Sequence, residues 1–423
     1  MSLIRYVWLT IILPVLLTAV IQAQELSVSG QYRGEFEAIF QDSVYRHQHW
    51  INLVFEKDFG TSASMHLDLE LNSYERQQIT PVIREAYANY YTKHIDWRFG
   101  KQLVPWGSAY LLNPTSYFSP YDLTVINPGE KRMGVIAGLG RYYGPGRTEI
   151  SVVFTPFFQG HKQSVYGQTE FLEHFQQSTI EKINAQIPFP GIRLVPDPNQ
   201  PVVPASVPRT IENSQGGMKL TKRGVLGFDM SVSGYHGRDK FPVVNEPATE
   251  SSFRVSPISG TVIDTTVSIH FSHPRVTRAG LDIIGSVGEV GVWVEGVQNF
   301  YRKEWMTDNV NLTAGFDYKF KNDLYIMGQG WYLGKRVEGE QDIQALILRA
   351  TVPVWGFHEL EVAGLYELKS ESHFFQPQLN YSLGGAAELQ IGGTLMEMQD
   401  SPYAPLISQL MGDRLYARLA LDF

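Results

Sequence analysis

The sequence predicts an all-β fold: a transmembrane, antiparallel, up-and-down β-barrel of about 18 strands, with 16 as the alternative. Three observations carry it. Apolar and polar residues alternate with period two over stretches of about ten residues, the length of a tilted membrane-crossing strand and longer than the soluble norm of about five or six. The links between the stretches are tight and longer by turns. The one long apolar run lies in Met1–Ala23 and does not recur, so the chain has no set of spanning helices.

That first run has a basic start at Arg5, an apolar stretch from Val7 to Val20 and a small residue at Ala23. This is the pattern of a cleaved secretory signal peptide over 1–23, which leaves 24–423 as a single barrel. Alternation begins at once, with Leu26, Val28, Tyr32, Phe36 and Ala38 set against Ser27, Ser29, Arg33, Glu35 and Glu37. It returns in Met65, Leu67, Leu69 and Leu71 against His66, Asp68, Glu70 and Asn72, and again in Leu415, Ala417, Leu419, Leu421 and Phe423. Strands are expected near 26–39, 46–57, 62–72, 83–92, 95–102, 135–143, 148–158, 214–221 and 225–236. They continue near 276–286, 290–300, 311–320, 324–333, 344–353, 357–368, 372–382, 386–397 and 413–423. The segment 263–273 also alternates. Counted alone it gives an odd number and breaks the rhythm of the links, so it is joined to the strand at 276–286. The longest links, 103–134, 159–213 and 237–275, are expected to be external loops. Within the second, Phe171, Phe175, Ile180 and Ile183 recur at helical spacing in Glu170–Gln186, and the prolines of Ile187–Pro208 exclude regular structure after it.

Composition narrows the class. Charged residues make up 18% of the chain, against about 25% in an average globular protein, while aromatics reach 13% and cysteine is absent. A disulfide scaffold, a cysteine-ligated metal and a thiol nucleophile are excluded. The net charge of −8 argues against an electrostatic nucleic-acid binder. No 40–45-residue repeat marks a propeller. A barrel of 18 strands is too wide to fill with side chains, so its apolar face must look outward to lipid and its polar face inward to water. Aromatics fall where interfacial belts would: Tyr90, Tyr142, Phe320, Trp355, Phe357, Tyr381 and Phe423 beside tight turns or the C-terminus, Phe300, Tyr332, Tyr366 and Phe374 near the opposite ends.

Period two then assigns an inner face. Its channel-lining residues include Arg33, Glu35, Glu37, Asp68, Glu70, Glu85, Asp96, Arg98, Gln102, Glu295, Arg349, Glu359, Glu361, Arg414 and Arg418. Most of these charges are expected to pair across neighbouring strands. Glu35 and Glu37 could face Arg414 and Arg418 where first and last strands meet, and the surplus of acids leaves a weak preference for cations. The loop 103–134 is the candidate constriction, carrying Trp106, Tyr110, Asn113, Tyr117, Phe118 and Tyr121 between stiffening prolines. So apolar a loop must pack, either inside the lumen or against the rim; the sequence leaves both placements open. His47 and His49 share a strand face without a third ligand and are read as a rim pair, so no metal and no cofactor are expected. No nucleophile motif or nucleotide fingerprint occurs, and the chain is read as a non-enzyme.

Two features resemble known proteins. The alternating last strand ending in Phe423 resembles the C-terminal strand that bacterial outer-membrane proteins present to the barrel assembly machinery. The series Arg84-Glu85-Ala86-Tyr87, Arg98-Phe99-Gly100-Lys101-Gln102, Trp106-Gly107, Asn113-Pro114 and Ser119-Pro120 resembles a motif of large, porin-like Gram-negative outer-membrane barrels, mostly uncharacterised. Thr115-Ser116-Tyr117 lacks the Asp often found there. The resemblance implies a porin-like fold in the bacterial outer membrane and does not name a solute. The function expected is passive diffusion of small solutes, with outer-membrane lipid, the assembly machinery through Phe423, and possible homo-oligomerisation as partners. The alternatives are a barrel partner of a periplasmic export or lipid-transfer system and, behind it, an outer-membrane hydrolase.

Overall fold

The structure is a computed structural model that describes residues 26–40, 44–74, 79–110, 112–122, 132–162, 184, 194–196, 202–203, 207–244, 253–255, 262–267, 269–337, 341–397 and 413–423. Among them, eighteen strands form one closed antiparallel sheet. They are β1 (Ser27–Ile39), β2 (Val44–Phe59), β3 (Ala63–Tyr74), β4 (Thr80–Tyr91), β5 (Ile95–Gln102), β6 (Val135–Gly144), β7 (Thr148–Thr155), β8 (Gln215–Val225) and β9 (Phe228–Arg238). The second half comprises β10 (Arg275–Val287), β11 (Val290–Tyr301), β12 (Asn309–Lys319), β13 (Tyr325–Leu333), β14 (Ile343–Val354), β15 (His358–Glu367), β16 (His373–Gly384), β17 (Ala387–Glu397) and β18 (Arg414–Asp422). The expected count of 18 is therefore the one found.

Each strand pairs with its neighbours in the chain, and β1 closes on β18 in a register running from Gln31 opposite Asp422 to Ile39 opposite Arg414. Closure leaves no unpaired edge, which is what a backbone surrounded by hydrocarbon requires. The links after even-numbered strands are tight. At 226–227 both Leu226 and Gly227 have positive φ, 52° and 90°, the backbone twist that two-residue hairpins select. The links after odd-numbered strands include 103–134, 156–214 and 239–274.

Burial alternates with the opposite sense from a soluble barrel. On β1, Glu35 and Glu37 are buried while Phe36 between them is exposed; on β18, Arg414, Tyr416 and Arg418 are buried and Leu415 is exposed. Val152, Phe154, Met218, Val294, Leu348 and Leu395 likewise stand on the outside. Of the expected aromatic belts, Tyr90, Tyr142, Phe320, Trp355, Phe357, Tyr381, Phe423, Phe300 and Tyr366 are exposed, whereas Tyr332 and Phe374 are half-buried.

One expectation is corrected. The segment 263–273 is not an extension of the strand at 276–286. Its pieces Val262–Val267 and Ile269–Ser272 lie outside the barrel sheet. They pair with Leu194–Pro196 and Phe253–Val255, and with Val202–Val203 and Val243–Val244. Alternation there serves small sheets that knit two long loops together, a use that period two cannot distinguish from a wall strand. The helix expected in Glu170–Gln186 lies, apart from Asn184, outside the described residues.

Candidate functional site

The loop between β5 and β6 enters the lumen. Its neck is held where Ser119 Oγ accepts from the Val104 amide at 2.8 Å, and its body then crosses the inner faces of β6 to β14. Two apolar seats hold it. In the first, Val104, Trp106, Tyr117 and Phe118 are buried against Val135, Ala137 and Leu139 of β6, Val153 of β7, Tyr235 of β9, Val276 of β10 and Val297 of β11. Trp106 meets Phe118 edge-on at 5.1 Å, and Tyr117 stacks on Tyr235 at 5.1 Å. In the second, Ala109, Tyr110 and Leu112 pack on Trp293 of β11, Met327 of β13 and Ile347 of β14.

Between the seats stands the carboxylate of Glu295, with no exposure to solvent. It accepts from the Ser108 amide, from the Ala109 amide at 2.6 Å, and from the Thr115 amide and hydroxyl at 3.2 and 2.9 Å. A buried carboxylate is tolerated only when its lone pairs are satisfied in this way. Gln329 adds a two-way clasp, its Oε1 accepting from the Tyr110 amide at 3.1 Å and its Nε2 donating to the Tyr110 carbonyl at 2.8 Å. Thr313 Oγ1 donates to the Leu112 carbonyl at 3.2 Å. Small wall residues make the space. A Cβ on Gly280 would run into the Tyr117 hydroxyl, and one on Gly217 would lie 3.1 Å from the Phe118 ring. Within the loop, Gly107 has φ of 89° and no room for a side chain beside Asn113 and Thr115.

The outer end of the loop is tied to the neighbouring loops. Arg132 lies over the Tyr121 ring at 4.3 Å and donates to Ser116 Oγ at 2.6 Å. The Tyr121 amide donates to His161 Nδ1 at 2.9 Å, and Lys162 pairs with Asp122 at 3.1 Å. Beyond them Lys240, 5% exposed, donates to the Gln159 carbonyl at 3.1 Å, and Asp239 receives Tyr301 Oη at 2.8 Å and Arg278 at 3.4 Å. Desolvation, reinforced by the charge of Arg278, lowers the Lys240 ammonium to about 7. Desolvation first, and the Lys240 charge second, lower the His161 imidazole to about 3.

The inner faces of β15–β18 and β1–β5 carry the charge rows. Glu37 lies between Arg414 at 3.0 Å and Arg46 at 3.6 Å, and Glu35 meets Arg418 at 3.5 Å, so first and last strands are ion-paired across the closure. Arg84 stands 3.8 Å from Asp68 and 3.9 Å from Glu70. Arg349 pairs with Glu361 at 2.8 Å and donates to Tyr110 Oη at 3.3 Å, so this wall charge touches the edge of the loop. Glu85, Asp96 and Arg98 do not form a group of their own. Glu85 accepts from the Leu103 amide at 2.6 Å, Arg98 donates to Asn89 at 2.8 Å, and Asp96 sits opposite Arg141 of β6. Arg33 donates to Gln31 at 3.1 Å, and Glu359 is exposed near a tight turn.

One group of expected residues is corrected. Glu295 and Gln102 point inward but are sealed from the lumen, Glu295 under the loop and Gln102 with its Nε2 donating to the Ala137 carbonyl at 2.9 Å. Trp106, Tyr117 and Phe118 fill the seat between loop and wall, the inner of the two packings open to so apolar a loop. Of the constriction residues, Tyr110, Asn113 and Tyr121 keep partial exposure. The rim pair His47 and His49 is exposed, its rings 5.9 Å apart, and His49 bonds Tyr32 Oη at 2.8 Å. The sequence reading missed Gln329, Thr313 and Ser233, whose Oγ meets the Tyr117 hydroxyl at 3.0 Å, as anchors. A signal for the seat was present: Val135, Ala137, Leu139, Val153, Val297 and Ile347 are apolar at inward positions, which makes sense only if something other than water covers them.

No protein-family model matches the chain, and no curated protein sequence matches it. Solved structures do. Pseudomonas aeruginosa OpdQ superposes with a TM-score of 0.55 at 8% identity, covering 95% of this chain and 98% of that one. Pseudomonas aeruginosa OccK11 (OpdR) gives 0.54 at 9% identity, covering 94% and 95%, and OccK10 (OpdN) of the same organism gives 0.54 at 8% identity, covering 95% and 99%. At these identities the likeness is one of fold, and it extends over nearly the whole of each chain.

Proposed function

We propose that the protein is a porin-like channel of the bacterial outer membrane through which small solutes diffuse passively, with the loop 103–134 setting the bore. The observation that carries the reading is the Glu295 clamp, which fixes that loop inside an eighteen-stranded barrel instead of leaving it at the rim. A barrel of this width encloses an aqueous channel unless something fills it. The loop occupies the side of β6–β14, and the passage then runs along the opposite wall, past Arg33, Glu35, Glu37, Asp68, Glu70, Glu85, Arg98, Glu361, Arg414 and Arg418. The exposed apolar exterior supports residence in lipid, and the fold-level likeness to the Pseudomonas barrels supports the same reading. Delivery by the barrel assembly machinery through Phe423, and self-association, belong to the same proposal.

Liposome swelling tests it. Vesicles carrying the folded protein should swell in isosmotic solutions of small neutral sugars and progressively less with larger ones. Vesicles that swell no faster than protein-free controls for any solute would overturn the open-channel reading. Selectivity is a separate expectation. Acids outnumber bases on the free wall, so the reversal potential in a salt gradient should favour the cation; one favouring chloride would refute it.

A further inference from the structure

One cluster on the free wall holds more than wall pairing, in which Arg84 stands 3.8 Å from Asp68, accounts for. His66 and Asp68 of β3 and Glu85 of β4 each offer a ligand atom, and these three atoms lie within 4.8 Å of one another. Among the described residues this is the group of His and carboxylates arranged as a metal site would be. Strand register explains part of the gathering: Asp68 lies opposite Glu85, and Arg84, the next residue back along β4, is the extra residue of a bulge. The sequence reading placed all three on the polar face but had no way to see that strand register sets Asp68 opposite Glu85.

Three further facts point to an ion. Asp68 is buried, and its Oδ1 has no hydrogen-bond partner in the protein. His66 Nε2 is buried and also has none. The other ring nitrogen, Nδ1, bonds Glu56 Oε1 at 2.9 Å. A carboxylate on one imidazole nitrogen fixes the tautomer and leaves the second nitrogen as a lone-pair donor, the usual arrangement behind a metal-binding histidine. The ring is also held by its faces. It stacks on Tyr87 at 4.8 Å, and the Arg98 guanidinium also lies over the Tyr87 ring at 4.1 Å. Glu85 gives one oxygen to the Leu103 amide at 2.6 Å. Donors around an ion with bonds of about 2.1 Å stand about 3–3.5 Å apart, so atoms as far apart as 4.8 Å need to close by roughly 1.3–1.8 Å, within the reach of side-chain rotation.

The geometry points to a site for a divalent first-row transition metal on the inner wall, ligated by His66 Nε2, Asp68 Oδ1 and Glu85, with Glu56 orienting the imidazole. One imidazole with two carboxylates suits zinc, manganese or cobalt better than calcium or magnesium, which take all-oxygen sets. Glu85 also holds Leu103, the first residue of the inserted loop, so an ion here would brace the root of that loop.

The test uses the full chain, folded in detergent and freed of metal with chelator, and does not depend on transport. Zn²⁺ titrated by calorimetry should bind at one ion per chain, and Co²⁺ should give visible absorption bands characteristic of nitrogen and oxygen ligation. His66→Ala should abolish both signals. Glu56→Gln, which keeps the three ligands, should weaken Zn²⁺ binding by about tenfold or more. His236→Ala, on the remote strand β9, should leave them unchanged. Circular dichroism and heat-modifiable gel mobility confirm that each variant is folded. Binding that is equal in wild type and His66→Ala would overturn the proposal, as would Ca²⁺ binding that outcompetes Zn²⁺ at the site. Failure of the channel assay would leave this result untouched.

Discussion

At the scale of single residues, Glu295 has the greatest leverage on the loop. Its carboxylate is the acceptor for the amides of Ser108, Ala109 and Thr115. A buried donor left without a partner costs about 1–3 kcal/mol, so Glu295→Ala should detach the centre of the loop from the wall. Limited proteolysis of the folded protein should then cut within 104–118, where wild type resists; equal resistance would mean that the apolar seats alone hold it. Arg349 acts at the loop's edge, through Tyr110 and Glu361. Removing its positive charge in Arg349→Ala should move the reversal potential further towards the cation. An unchanged potential would show that Arg349 does not face the passage.

Elements show why the seat exists and how far it could be read. Strand β6 is apolar on both faces, with Ile136 exposed outside and Val135, Ala137 and Leu139 buried inside under the loop; the outer face is the one that the proposed function turns to lipid. Gly280 of β10 gives Tyr117 its space, so Gly280→Val should unseat the first apolar cluster. Overpacking of this kind costs about 1–3 kcal/mol, and it should appear as increased loop proteolysis with the barrel's β-signature intact. The outer loops carry a pH dependence. His161 is held neutral by desolvation, at about 3 against an ordinary 6.5. Once exposed it takes up a proton below 6.5, so its contribution to the packed loops is complete above that pH. It is lost as pH falls from 6.5 towards 3, by up to about 1.4 kcal/mol per pH unit. Proteolysis around 156–162 and 239–244 should therefore rise from pH 7.5 to pH 5, and His161→Gln should remove that rise. The alternation of Glu35, Phe36 and Glu37 was legible in the sequence because one strand's period is a local property. The destination of Trp106, Tyr117 and Phe118 was not. It depends on Glu295, Gln329 and Gly280, far away in the chain, and on a lumen that exists only after closure.

For the whole molecule, closure turns eighteen individually marginal strands into one continuous sheet. The seam is reinforced where Arg414 and Arg418 meet Glu37 and Glu35. Removing one partner of a buried pair costs about 3–5 kcal/mol, so Arg414→Ala should lower the temperature at which the barrel loses its compact gel mobility. An unchanged transition would show that the backbone ladder alone sets the seam's strength. The central claim is that the barrel is a channel whose bore is set by the inserted loop. Single-channel conductance in planar bilayers, comparing the wild-type protein with a variant lacking residues 108–118, tests it most directly. Discrete ohmic steps in wild type, and clearly larger steps in the deletion variant, are the predicted result. Steps of equal size in the two proteins, or no steps in either, would contradict it.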